Sequence, residues 1–306
     1  SGSSPPLEFL NPIVFAGLLG MYGTGVLMVR EISVSWSKGW ATVILLGAAY
    51  GIIEEGLAVK SFFDPGWMDL GDLGEYGRYW STNWVWSFWL TIFHATVSIA
   101  LPILLVQLLY PHLRSQRLLD PFQFRIVLVL FVVDVSVFAL LFSVNYVPQA
   151  VQYLLAACVV AAFVYIAKRL PSGLVSARHP NPTWPPWKFF LLGLNLLFTS
   201  FIVASGALTR EAHPVMVIMV LLLISAATLL LLQHKMGASG NRVHKACFAS
   251  GILSVWVFFG VVNEFSGYFG MSVVALFAAL FIVDLTRWSK GKRPLTLLRR
   301  FPTLAG

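Results

Sequence analysis

Charge is scarce in this chain. Asp, Glu, Lys and Arg make up only 11% of its 306 residues, against about 25% in a soluble domain. That shortage excludes a water-solvated surface over most of the molecule. With 58% hydrophobic residues and a mean hydropathy of +0.79, the remaining surface must face lipid. Cysteine is scarcer still. Cys158 and Cys247 both fall in apolar runs, too few for a disulfide framework and too far from other soft ligands for a zinc site. Packing is the role left to them. Also missing are a Gly-x-Ser-x-Gly elbow, a phosphate loop and a Gly-x-Gly-Asp-like aspartyl site, so serine-elbow, nucleotide-driven and presenilin-type chemistries have no support. No repeat with a period of 20 to 50 residues and no low-complexity tract divides the chain. The expectation is one integral membrane domain over 1–306, with Ser1–Ser4 set aside as a tag remnant.

Long apolar runs, by contrast, are abundant. A run of about 20 residues spans a bilayer as a helix. Nine are present, over 9–30, 39–62, 84–109, 123–146, 148–168, 187–209, 213–233, 246–263 and 266–287. The last two are separated by the short stretch VNEFSGYFG. The fold class expected is therefore all-α, a polytopic transmembrane helix bundle of eight or nine spans. The first run is long enough to remain as a span rather than a cleaved leader.

Loop charge orients these spans. Basic residues gather in alternate connections: Arg30 and Lys38; Arg114, Arg117 and Arg125; Lys168, Arg169, Arg178 and Lys188; Lys235, Arg242 and Lys245; and the tail beyond 287. The intervening connections are acidic or neutral. The positive-inside rule then places the N-terminus out and the C-terminus in. On this basis 168–187 and 234–245 are inner basic loops, and 60–83 is an outer loop rich in acids and aromatics. The net charge of +8 is accounted for by topology and by contact with anionic lipids at the inner face. No nucleic-acid partner is needed, and the cell membrane is the expected location.

Within the second run, GAAYGIIEEGLAVKSFF places Glu54 and Glu55 side by side. Each carboxylate costs at least ~2.5 kcal/mol at a bilayer centre, so an intramembrane pair points to function. In the expected orientation they lie ~10–15 Å below the outer end of their helix. His94 lies ~15 Å down the next helix from the same side. Helices joined by one loop usually pack together, so the three groups are expected to meet. Gly47, Gly51 and Gly56, with Ala48 and Ala58, give the second helix a small-residue surface for close approach. Tyr50 is four residues before Glu54, within reach of a hydrogen bond. Lys60 is too far round the helix for a regular pair and is expected to snorkel. Asp134 in the fourth run, with Asn145, Asn195, Asn263 and Glu264, completes the set of polar candidates. Arg30 with Glu31 and Asp284 with Arg287 are expected to form interfacial ion pairs, the second at spacing i to i+3.

Two carboxylates in a low-dielectric pocket cannot both stay charged without a cation or solvent. A water held between a glutamate and a histidine could then be activated as a nucleophile. This pattern resembles the CAAX prenyl endopeptidase and bacteriocin-processing (CPBP) family of intramembrane proteases. Its motifs are Glu-Glu-x-x-x-Arg on one helix and Phe-x-x-x-His on a later one. Here Val59 stands at the arginine position with Lys60 one step on, and Leu90 stands four before His94. The family's later histidine-asparagine motif has no counterpart in this chain. The PrsW-type glutamate proteases, which begin Glu-Glu-x-x-Lys, are similar over the same stretch. Residues 28–56 also look like uncharacterised prokaryotic polytopic membrane proteins. The resemblance implies Glu54 or Glu55 as base, His94 as the polarising group and an asparagine amide as oxyanion donor. The substrate it implies is a membrane-embedded peptide or a lipid-like molecule.

Two other readings stay open. Buried carboxylates also serve proton, cation or solute binding in transporters, and Asp134 would extend such a path. Alternatively, Tyr50, His94 or Lys60 satisfies the pair and the cluster only fixes helix packing. In the loop FFDPGWMDLGDLGEYGRYWSTNWVWSFW, the aromatic residues fit an interface belt or a cap over the pair. Its acids lack the spacing of a calcium loop. No metal or cofactor is expected. A zinc ion on Glu54, Glu55 and His94 is chemically feasible but needs a further ligand or water.

Overall fold

The computed structural model of the chain describes residues 6–206, 211–237 and 242–299. Residues 1–5, with the Ser1–Ser4 stretch, 207–210, 238–241 and 300–306 lie outside the described residues. Among the described residues, nine helices are long and apolar enough to cross a membrane: α1 Pro12–Ser35, α2 Trp40–Ala58, α3 Trp84–Leu109, α4 Pro121–Phe142, α5 Ala150–Arg169, α6 Pro186–Ala204, α7 Pro214–Lys235, α8 Arg242–Phe265 and α9 Met271–Ser289. The chain is an all-α, multi-pass integral membrane protein. The nine expected spans are present with ends shifted by a few residues, and α8 and α9 are separate despite their short connection.

Helix starts follow local chemistry. Asp120 opens α4 with a capping box, accepting from Phe122 N and Gln123 N at 2.8 Å while Gln123 returns a bond to Asp120 N. Proline occupies the first turn of α4, α6 and α7, where its missing N–H costs nothing. Asn83 opens α3 by accepting from Trp86 N at 3.0 Å.

Burial separates the centre from the rim. In its most apolar window α2 is 67% buried and α4 only 6%, so α2 is the hub and α4 faces lipid. Backbones approach most closely where glycine permits. A Cβ on Gly193 of α6 would meet Phe248 O at 2.2 Å, and one on Gly251 of α8 would meet Phe190 O at 2.0 Å. These two positions admit only glycine, and they lock α6 against α8.

The two faces differ in charge. Among the described cations only Lys60 and Arg78 lie where α2 ends and α3 begins, here called the cap face. The rest lie at the opposite, basic face. On the cap face, residues 59–83 fold into turns and a minimal hairpin, β1 Arg78–Tyr79 paired with β2 Thr82–Asn83. Asn83 ties it down, donating to Leu73 O at 2.7 Å and from its backbone to Phe62 O at 2.9 Å. Arg78 adds a bond to Phe63 O at 2.8 Å. Trp67 packs on Phe142 of α4, whereas Tyr79 and Trp80 stack on each other in the open.

Four charged residues behave otherwise than the sequence leads one to expect. Lys60 does not snorkel. It is fully buried with φ +69°, and its Nζ donates to Ala139 O at 2.6 Å and Ser143 Oγ at 2.7 Å, closing the C-terminal end of α4. Asp284 does not pair with Arg287. It accepts from Leu295 N at 2.6 Å, Thr296 N at 3.0 Å and Leu298 N at 2.9 Å, fastening the tail to α9, while Arg287 binds Arg293 O. Arg30 and Glu31 do pair, but both are buried rather than interfacial. Arg30 also donates to Gln116 O and Glu31 accepts from Leu118 N and Leu119 N, so together they fold the α3–α4 connection.

Candidate functional site

Three of the nine spans contain a stretch of π-helix: Leu19–Gly23 in α1, Ile53–Ala58 in α2 and His94–Ala100 in α3. Such widened turns are rare and concentrate at functional sites. All three meet at one place, and between them they carry Tyr22, Glu54, Glu55, His94 and Ser98. The widening matters for position. A Cβ on Gly51 would come within 2.9 Å of His94 Cβ, and one on Gly47 within 2.9 Å of Ala95 Cα, so α3 lies directly on the small-residue face of α2.

His94 is the hinge of the cluster. Its Nε2 is 2.9 Å from Glu55 Oε1, and its Nδ1 is 3.2 Å from Glu54 Oε2 and 2.9 Å from Ser98 Oγ. All three triad residues are buried, with His94 2%, Glu54 5% and Glu55 9% exposed. Glu55 is held from its other oxygen by the hydroxyl of Ser61, which in turn accepts from Trp86 Nε1 at 3.1 Å. A continuous hydrogen-bonded chain therefore runs from Trp86 through Ser61, Glu55 and His94 to Ser98, with Glu54 at ion-pair distance from the imidazole.

The walls are aromatic. Tyr22 stacks on the imidazole with ring centres 6.3 Å apart, and Tyr50 and Phe93 meet it edge-on at 6.0 and 5.4 Å. The hydroxyls of Tyr22 and Tyr50 face the Glu54 carboxylate. Even so, Tyr50 Oη and Glu54 Oε2 complete no well-formed hydrogen bond within the protein. Glu54 Oε2 has the His94 imidazole as its ion-pair partner at 3.2 Å, whereas a buried hydroxyl such as that of Tyr50 is costly without a partner. Above the triad, Asp69 of the cap loop lies near enough to Glu55 for their charges to interact. Although Asp69 is exposed, burial of its surroundings and, second, the Glu55 charge hold its pKa above the usual carboxylate value.

Of the residues singled out from the sequence, Glu54, Glu55, His94 and Tyr50 come together. Asp134 does not join them. Its carboxyl lies against Gly20 in the α1–α4 seam, where a Cβ on Gly20 would meet Asp134 Oδ1 at 2.8 Å. Asn145 is exposed in the turn after α4. Glu264 accepts from Gly270 N at 3.2 Å and Ser272 N at 2.8 Å, capping α9. Asn263, beside it, supplies a backbone carbonyl to Ser266 N and Tyr268 N. Asn195 bonds Thr199 on an exposed face. None of the three asparagines bonds to the triad among the described residues, so none provides the oxyanion donor that the family resemblance implies. Sequence reasoning missed Ser98, Ser61 and Tyr22. Ser98 carried a signal, standing four residues after His94 on the same helix; Tyr22 and Ser61 carried none.

The donor atoms of Glu54, Glu55 and His94 all lie within 4.8 Å of one another, a spacing that could hold a metal ion. Such a trio leaves at least one coordination position for water. No protein-family model, curated protein or solved structure matches the chain. The site's own chemistry must carry the functional reading.

Proposed function

We propose that this protein is an intramembrane hydrolase in which the Glu54–Glu55–His94 cluster activates water against a carbonyl of a membrane-embedded, peptide-like substrate. The observation that carries this reading is the pairing of Glu55 with His94 Nε2 while Glu54 Oε2 stands 3.2 Å from His94 Nδ1 with the Tyr50 hydroxyl facing its carboxylate. Glu55 orients the imidazole, as a carboxylate does in a catalytic triad. Glu54 is then the base that takes the proton of a water lying between it and Tyr50. His94 passes a proton to the departing group, and the Tyr50 hydroxyl faces the oxygen on which negative charge develops. The cap loop and the aromatic walls keep bulk water away from the site.

The test is cleavage in H₂¹⁸O. The purified protein is reconstituted into vesicles with a pool of single-span peptides, and products are read by mass spectrometry. One ¹⁸O in each new carboxyl group is expected, lost in Glu54→Gln and Glu55→Gln variants that still fold. Cleavage that persists in both variants would remove the pair from the chemistry.

The 4.8 Å clustering of two carboxylates and an imidazole favours a second reading, cation or proton binding for transport. It requires pH-dependent uptake of an ion or solute into vesicles, abolished by Glu55→Gln, with no peptide cleavage.

A further inference from the structure

A large cavity lies away from the triad. It opens on the basic face and occupies about 530 Å³ among α2, α3, α6, α7 and α8, a size typical of ligand pockets. None of Glu54, Glu55 or His94 lines it. Along α3 its wall runs from Thr91 to Leu104, about 20 Å at helical rise. That exceeds the ~15 Å half-thickness of a bilayer's hydrocarbon core. Leu104, Leu196, Leu229 and Phe248 make the interior apolar.

Only the mouth is charged, and with one sign. Arg114 and Lys245 both line it, close enough for their charges to repel. No carboxylate lines the cavity, and no ion pair engages either cation among the described residues. Arg114 is exposed and Lys245 half-buried. Two like charges beside a deep apolar slot are unfavourable for the empty protein, but complementary to a molecule with a long hydrocarbon chain and an anionic end. The membrane supplies such molecules at this level, and basic pockets between transmembrane helices are known to take anionic headgroups.

We infer that this cavity binds one acyl chain of an anionic lipid, the chain lying between α3 and α7 and the negative group held by Arg114 and Lys245. A phospholipid phosphate and a fatty-acid carboxylate share this chemistry. Whichever is the natural occupant, the site is separate from the triad and serves to fix or sense the lipid beside α3, the helix that carries His94.

The test is lipid binding to the purified full chain in neutral detergent, measured by native mass spectrometry. The probes are phosphatidylglycerol, oleate, and phosphatidylcholine with the same acyl chains. One anionic molecule is expected to bind about thirtyfold more tightly than phosphatidylcholine, at about fivefold for each basic side chain. Phosphatidylglycerol alone doing so identifies a phospholipid site, and oleate alone a fatty-acid site. Arg114→Gln with Lys245→Gln should abolish the preference. Ser225→Phe, which places a ring inside the cavity, should weaken binding of all three probes. Equal binding of anionic and zwitterionic lipid, or a preference unchanged in the double variant, overturns the inference. Should Ser225→Phe fail to fold, the exposed Arg114→Gln decides alone: an undiminished preference for the anionic probes overturns it.

Discussion

Glu55 Oε1 and His94 Nε2 stand 2.9 Å apart across the seam between α2 and α3, inside the membrane-spanning bundle, and neither lines the cavity on the basic face. The contact joins two residues 39 positions apart. It is the point on which both the packing of the hub helix and the proposed chemistry depend.

Removing the imidazole and neutralising Glu55 together should cost less than the two changes made singly would sum to. His94→Ala leaves Glu54 and Glu55 buried and facing one another, and breaking a buried pair from one side costs about 3–5 kcal/mol. Thermal unfolding in detergent should show a large loss for His94→Ala. The loss should be smaller in His94→Ala with Glu55→Gln than the sum of the two single effects. Strict additivity would mean that the 2.9 Å contact carries no energy.

The seam itself is sensitive to a single methyl. Gly51→Ala would press a Cβ to 2.9 Å from His94 Cβ, and Gly51→Leu far more. Overpacking of this kind costs about 1–3 kcal/mol, and it also shifts His94 relative to Glu55. Hydrolysis should therefore fall more steeply than stability does. Gly56→Ala, whose nearest neighbour is the Phe62 ring edge at 3.3 Å, should be milder on both measures.

Much of this arrangement was legible in the sequence. Nine apolar runs are all present as helices, because a bilayer-length apolar run has no other stable outcome. Glu54, Glu55 and His94 met because their depths along neighbouring helices matched, and Gly47 and Gly51 allowed the approach. What could not be read was register in detail. The π turns that carry Tyr22, Glu54, Glu55, His94 and Ser98 leave no residue pattern of their own, since they depend on which backbone carbonyls the packing displaces. Lys60 and Asp284 were misjudged for one reason. Both satisfy backbone groups distant in sequence, at the end of α4 and in the tail after α9, and no local spacing announces such partners.

Lys60 supplies a third test. Its ammonium donates to Ala139 O and Ser143 Oγ, so Lys60→Met removes two charge-assisted hydrogen bonds at the end of α4, at a cost of about 1–3 kcal/mol. Burial also holds the Lys60 pKa below the ordinary lysine value, with Asp64 opposing the shift. The charged form is therefore the disfavoured one in the folded protein. Wild-type stability should rise as pH climbs through the interval between the lowered pKa and that of free lysine, and Lys60→Met should lack this rise in pH-dependent unfolding.

The cap loop should respond to pH in the opposite sense. With its pKa raised above the usual carboxylate value, Asp69 favours the closed loop most when protonated. That contribution is complete below the ordinary carboxylate pKa and is lost as pH rises through the raised one. Protease nicking between Asp64 and Glu75 should accelerate across that interval. Asp69→Asn should flatten the profile, and an identical profile in the variant would exclude Asp69 as its source.

The most direct measurement is a comparison of peptide termini in membranes carrying either the wild-type protein or Glu55→Gln at equal abundance. New termini mapped by mass spectrometry inside apolar, membrane-spanning segments should occur with the wild type and vanish with the variant. Identical sets of termini in the two membranes would contradict the hydrolase account and leave the buried carboxylates to ion or proton binding.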